Sequence, residues 1–159
     1  MKTLVIYHSF EGSTKLIAET IAKVKSADIF ELKTKEELVK THGFMKYFWG
    51  GRSVIYKEKP ELLPFEKNPA DYDLIFIGTP VWAFTFTPLL RSLFAKKIFQ
   101  NKKIAVFCTH EGGQINTLRN MKNELVGNEI ISEMDFRNVK KNLEDNTKKA
   151  IEWANSVVA

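Results

Sequence analysis

The chain has 159 residues, of which 44% are hydrophobic and 12% aromatic, and this composition predicts one globular domain over residues 1–159 rather than a disordered chain. The formal net charge is +5. However, the chain has no groove-reading motif and no apolar run near the roughly 18 residues of a membrane span, so we expect no nucleic-acid or membrane partner. Cys108 is the one cysteine, which excludes an internal disulfide and favours a cytoplasmic location.

Predicted strands and helices alternate along the chain. Short apolar runs predict strands over residues 2–7, 28–32, 73–77, 103–108 and 129–136. Apolar residues at helical spacing predict helices over 13–25, from 35 toward 49, from 88 onward, over 114–125 and from about 138 onward. The third helix has Thr87 as a candidate N-cap and Pro88 at its first position. This alternation predicts an α/β fold, with helices on both faces of a parallel sheet.

Five strands and five helices fit a doubly wound, five-stranded parallel sheet of order 2-1-3-4-5. In that topology the strand order reverses between the first and third strands. A ligand binds outside the carboxyl ends of the strands at this switch point. The loops after strands one, three and four are therefore expected to form one site.

The loop after the first strand lies directly before a helix. It consists of Ser9, Phe10, Glu11, Gly12, Ser13 and Thr14. Backbone N–H groups and the helix dipole favour an anion at such a position, and the hydroxyl groups add donors. Gly12 allows the backbone to approach a ligand closely. The loop predicts a phosphate site for a nucleotide-like cofactor, although Ser and Thr at this position are also common as simple N-caps.

The other two loops differ sharply in character. The loop after strand three is uncharged, aromatic and stiffened by proline, and it consists of Thr79, Pro80, Val81, Trp82, Ala83 and Phe84. It suits a flat aromatic ring shielded from water, with Trp82 or Phe84 stacked on it; alternatively, these side chains belong to the core. The loop after strand four consists of Thr109, His110, Glu111, Gly112 and Gly113. Its N–H groups suit the polar edge of a heterocycle, and His110 either contacts the ring or is solvated.

These three loops, in register, resemble the flavodoxin family over essentially the whole chain. Strand five carries no long insertion, so the chain resembles the short-chain type of this family. The resemblance implies a flavodoxin-like three-layer sandwich that binds FMN non-covalently. Ser9 to Thr14 would hold the phosphate, Thr79 to Phe84 would flank one side of the flavin, and Thr109 to Gly113 would line the other. It also implies an electron carrier that shuttles low-potential electrons between transient redox protein partners, a reductase and an acceptor.

The chain departs from the family pattern in several places. Glu11 stands where threonine is common, and we expect its side chain to turn outward while its N–H serves the phosphate. No glycine occurs over residues 79–88, where many family members have one whose peptide flips on flavin reduction. His110 occupies a position where tyrosine is common. The chain is basic whereas typical members are acidic, so a partner with a basic docking face would not be steered toward it.

An alternative function on the same fold is an FMN-dependent NAD(P)H:quinone-type oxidoreductase. In that case the aromatic part of segment 41–68, from Phe44 to Trp49, would wall a substrate pocket together with Arg52 and Lys57. The other interpretation of this segment is a hydrophobic cluster that covers a long connection. We nominate no side chain as catalytic acid, base or nucleophile and no metal ligand, because the cofactor carries the redox chemistry. We favour a monomer.

Overall fold

The computed structural model of the protein describes residues 1–34 and 59–159. The strands are β1 (Thr3–Tyr7), β2 (Asp28–Glu31), β3 (Leu74–Pro80), β4 (Lys103–His110) and β5 (Glu129–Arg137). The α-helices of these ranges are α1 (Ser13–Lys25), α2 (Pro88–Ala95), α3 (Thr117–Glu124) and α4 (Leu143–Ser156), and a 3₁₀ turn spans Pro69–Asp71. The predicted helix from 35 toward 49 lies outside the described residues, as does most of the aromatic segment 41–68.

All five strands are parallel and form one sheet of order β2-β1-β3-β4-β5. The predicted doubly wound topology is confirmed. Tyr7 is the register partner of both Glu31 and Gly78, so β1 lies between β2 and β3 and the strand order reverses beside it. The connections that follow β1 and β3 therefore lead to helices on opposite faces of the sheet, and the crevice between these connections can receive a ligand.

The core consists of two apolar layers, one on each face of the sheet. One layer joins alternate residues of β1, β3 and β4 to α2 and α3, with Ile6, Ile77 and Val106 fully buried. The other joins the intervening residues to α1 and α4, with Phe76 and Phe107 fully buried. A sheet covered on both faces requires strands without polar alternation, which explains the continuous apolar runs of the sequence.

Some boundaries differ from the predicted ones for local reasons. Strands β3 and β4 continue to Pro80 and His110, so the second and third loops begin on paired strand residues. Helix α4 begins at Leu143 rather than near 138, because Asn138 has a left-handed φ of 51° that interrupts a helix. Helix α3 begins at Thr117 rather than 114, since Ile115 has a φ of 49°.

The described part of segment 41–68 packs against the core near β2. Leu62 forms an antiparallel bridge with Thr34, and the rings of Phe65 and Phe30 meet edge to face at 4.7 Å. Leu62 and Phe65 both pack on the layer of α2 and α3. These two residues agree with the hydrophobic-cluster interpretation, whereas the aromatic residues from Phe44 to Trp49, with Arg52 and Lys57, lie outside the described residues. Within the described ranges, no helix has the length and apolar character needed to cross a membrane.

Candidate functional site

A cavity of about 600 Å³ lies at the carboxyl ends of β1, β3 and β4. Its walls contain all of the residues predicted for the site except Ser9, Gly12 and Thr79, and Ile115 and Val139 join them. The cavity lies at the switch point of the sheet, and its volume is typical of a site for a small molecule. The structure thus brings the three predicted loops together around one cavity. No sequence pattern indicates that Val139, which follows β5, also lines this cavity.

The first loop turns directly into the N-terminus of α1. Gly12 is the N-cap residue, with a left-handed φ of 96° that favours glycine. The hydroxyl oxygen of Ser9 accepts hydrogen bonds from the N–H groups of Gly12 (3.1 Å) and Lys15 (3.2 Å). Ser9 therefore stabilises the loop from within. The first N–H groups of a helix, here those of Ser13 and Thr14, have no partner inside the helix and are oriented to receive an anion.

Threonine hydroxyls hold each of the three loops in place. The buried hydroxyls of Thr14 and Thr109 lie 2.8 Å apart and join the first loop to the third. Thr79 is fully buried; its hydroxyl donates to the carbonyl of Pro80 (2.8 Å) and accepts from the N–H of Thr87 (3.2 Å). Thr79 therefore fixes the second loop to the start of α2 without lining the cavity. Thr87 is the N-cap residue of α2, as predicted.

The second loop is a tight turn built without glycine. Trp82 and Thr85 exchange two backbone hydrogen bonds of 2.8 and 3.0 Å around Ala83 and Phe84. Both central residues have left-handed φ values, 43° and 70°, as a type I′ turn requires. Non-glycine residues are strained in this conformation. The turn holds the ring of Phe84, which is 67% exposed, at the rim of the cavity.

Trp82 packs inward along the cavity wall rather than standing free. Its ring meets that of Phe10 edge to face at 5.2 Å and that of His8 at 6.0 Å. His8 is buried, and its Nδ1 lies 3.1 Å from the hydroxyl of Thr87. Burial lowers the pKa of His8 to about 4. The imidazole is therefore neutral at pH 7 and supports Trp82 without placing a charge beneath it.

His110 is not solvated, in contrast to one of the two sequence-based interpretations. Its side chain is 6% exposed, and Nε2 lies 2.6 Å from a carboxylate oxygen of Asp135 on β5. An ionised carboxylate only accepts hydrogen bonds, so Nε2 carries the proton. The other ring nitrogen, Nδ1, is buried and has no hydrogen-bond partner among the described residues. A buried polar atom of this kind, on a residue of the cavity wall, fits a ligand with polar groups on its edge.

The segment that follows β5 holds the first and third loops from the side. The N–H of Asn138 donates to the carbonyl of His110 at 2.8 Å, and Nε of Arg137 donates to the carbonyl of Glu111 at 3.2 Å. The ammonium group of Lys140 donates to the carbonyl of Glu11. The sequence pattern indicates these contacts only weakly, because the Lys140–Lys141 pair is typical of an ordinary solvated basic cluster.

Cys108 is fully buried in the sheet. Burial raises the pKa of its thiol to about 12, so the group stays protonated and is a poor nucleophile at neutral pH. Cys108 therefore serves as a small apolar residue of the core. Among the described residues, no group of three side chains is arranged to hold a metal ion.

A parallel sheet of order 2-1-3-4-5 with a cavity at its switch point defines the flavodoxin-like class of α/β proteins. A family model described as Flavodoxin matches residues 2–156. The chain therefore belongs to the flavodoxin family. No match is found among curated proteins.

Solved structures of flavoproteins resemble this one along most of the chain. A flavoprotein from Lactobacillus acidophilus, in complex with FMN, is 25% identical with a TM-score of 0.71, covering 89% of this chain and 97% of its own. A candidate flavoprotein from Bacteroides eggerthii is 18% identical with a TM-score of 0.80, and the match covers 99% of this chain and 98% of the other. The two-electron reduced flavodoxin of Megasphaera elsdenii is 17% identical with a TM-score of 0.56, and the match covers 97% of this chain and 99% of the other. The latter two likenesses support the fold alone.

Proposed function

We propose that the protein binds FMN non-covalently in the cavity at the switch point and transfers electrons between redox proteins. The observation that carries this proposal is the meeting of three unlike walls around one cavity of about 600 Å³: a helix N-terminus, an apolar turn and a glycine-containing loop. FMN has three matching parts, namely a phosphate, a flat ring system and a polar ring edge. The FMN complex of the Lactobacillus acidophilus relative, at 25% identity, supports the same assignment.

Each wall has a distinct role in this proposal. The N–H groups of Ser13 and Thr14 would receive the phosphate, together with the hydroxyl group of Ser13, which lines the cavity. Trp82 and Phe84 would cover one face of the ring system and keep water from it. The third loop, from Thr109 to Gly113, would receive the polar ring edge. Nδ1 of His110 fits this role, because a buried polar atom without a partner among the described residues gains one when a polar group of the ligand binds beside it.

FMN supplies the redox chemistry when bound, and the side chains bind it, orient it and exclude water. Phe84 lies at the rim and is largely exposed, so the turn that would cover the ring is also accessible to a docking protein. The net charge of +5 favours partners with an acidic docking face, since opposite charges accelerate encounter. We expect these complexes to be transient, and we expect the protein to act as a monomer in the cytoplasm.

Stepwise anaerobic reduction of the FMN-loaded protein, followed by absorbance, tests the electron-carrier role. A carrier is expected to take up its electrons in two resolved one-electron steps and to show no reaction with NADH or NADPH alone. Complete two-electron reduction by NAD(P)H alone would contradict the carrier role and favour the NAD(P)H:quinone-type oxidoreductase. The control is free FMN under the same conditions, which sets the background rate with NAD(P)H.

A further inference from the structure

Lys140 is placed over the loop that begins α1. Its ammonium group donates to the carbonyl of Glu11, and it would lie 3.6 Å from a Cβ atom added to Gly12. Lys140 comes from the segment after β5, so this contact joins residues 129 positions apart in the chain. The cation is thus brought to the turn at Glu11 and Gly12, directly before the first residues of α1.

This position is electrostatically unfavourable when the site contains no anion. A helix N-terminus carries a partial positive charge, and α1 is 13 residues long, so the dipole is well developed. A second positive charge beside it is repelled, and one carbonyl occupies one of the three donors of the ammonium group, so that two donors remain available to a ligand. An anion between the ammonium and the N–H groups of Ser13 and Thr14 would convert this repulsion into two favourable interactions.

The main chain around Lys140 is well anchored, so the side chain starts from a fixed point. Val139 is 2% exposed and lines the cavity. Asn138 donates from its N–H to the carbonyl of His110 and accepts at its own carbonyl from the N–H groups of Lys141 and Asn142, both at 3.0 Å. A lysine tethered in this way loses less freedom on binding a ligand than one on a mobile loop.

We propose that Lys140 is a direct cationic ligand of the FMN phosphate, and this inference rests on the proposed function. Lys140 lets the site select FMN over riboflavin, which has the same ring system but no phosphate. The contact is a charge-assisted hydrogen bond, whose loss weakens binding by roughly 10- to 100-fold. It also makes FMN binding sensitive to salt, because Lys140 is exposed to solvent.

The test compares dissociation constants of the apoprotein for FMN and for riboflavin, measured by quenching of flavin fluorescence. For Lys140→Gln we expect FMN binding to weaken roughly 10- to 100-fold, riboflavin binding to change less than about 2-fold, and the salt dependence for FMN to become shallower. Lys141→Gln is the matched control, because it removes the same charge from the neighbouring exposed residue. It should change FMN binding less than about 3-fold.

Two results would overturn the inference while leaving FMN binding itself intact. One is an unchanged affinity of Lys140→Gln for FMN, and the other is an equal loss of affinity for FMN and riboflavin, which would mean that Lys140 only positions the first loop. Lys140→Arg keeps the charge and should retain most of the selectivity. Failure of the unmodified protein to bind either flavin would instead contradict the proposed function. Thermal denaturation of each apoprotein confirms that the variants are folded.

Discussion

Replacing Gly78 by alanine is expected to destabilise the fold where the cavity meets the sheet. Gly78 lies in β3 between Tyr7 on β1 and Phe107 on β4. A Cβ atom added to it would lie 2.1 Å from Cζ of Phe107 and 2.4 and 2.5 Å from the two Cε atoms. Since ordinary contacts begin near 3.4 Å, the ring would have to move by more than 1 Å.

The surroundings of Phe107 leave the ring little room for this movement. It is fully buried and packs edge to face against Trp153 at 6.1 Å and Phe136 at 6.3 Å. Overpacking of a core costs about 1–3 kcal/mol, and the short distances place Gly78→Ala at about 3 kcal/mol. For a chain of this length the melting temperature should fall by roughly 6–12 °C, measured by circular dichroism and confirmed by urea denaturation.

Two comparisons separate this clash from a general effect of adding a methyl group. Gly112→Ala is the control, because nothing lies within 4 Å of its added Cβ, and we expect a change below about 0.5 kcal/mol. Phe107→Leu removes the three colliding ring atoms, so Gly78→Ala should cost less than about 1 kcal/mol in that background. A loss below about 1 kcal/mol in the natural background, or the same loss in both backgrounds, would refute the reasoning.

Three further predictions concern the walls of the cavity. His8 has a lowered pKa of about 4 in the folded protein, so as the pH falls the unfolded chain takes up this proton before the folded protein does. The contribution of His8 to the free energy of unfolding should be fully present above about pH 7, and about 2 kcal/mol of it should be lost between pH 7 and 5. The variant His8→Gln should show a smaller dependence of this free energy on pH. Equal slopes would contradict this. Ala83→Gly should raise the free energy of unfolding by about 0.5–1 kcal/mol, because glycine adopts the left-handed φ of 43° without strain. A decrease of about 1 kcal/mol, measured by urea denaturation, would mean that Ala83 is unstrained in this turn. Phe84→Ala should weaken FMN binding roughly 3- to 10-fold with an unchanged melting temperature, and unchanged affinity would exclude ring contact by Phe84.

Much of the architecture follows from local sequence patterns. The continuous apolar run over residues 4–7 specifies a strand buried on both faces, and Thr87-Pro88 specifies the start of α2. The alternation of strands and helices predicts a parallel sheet and fits the order 2-1-3-4-5, and the switch-point rule then places the three loops together. These features depend only on short-range patterns and one topological rule, which is why the sequence alone predicts them.

The parts of the site that the sequence did not predict depend on contacts between distant segments. The partner of His110 is Asp135, on the neighbouring strand, and nothing near either residue indicates the pair. Lys140 reaches the first loop only because β5 ends beside it. The turn at Ala83 and Phe84 carries no glycine or asparagine, the usual sign of positive φ, so its geometry is imposed by the hydrogen bonds of the residues around it.

Titration of the purified apoprotein with FMN tests the central claim most directly. We expect the flavin fluorescence to be quenched to saturation at one FMN per chain, and the absorbance of the bound flavin to persist through gel filtration. Such binding would agree with a cavity at the switch point that matches the phosphate, ring system and polar edge of one FMN molecule. A protein that remains colourless and fails to quench added FMN would contradict the assignment of all three loops.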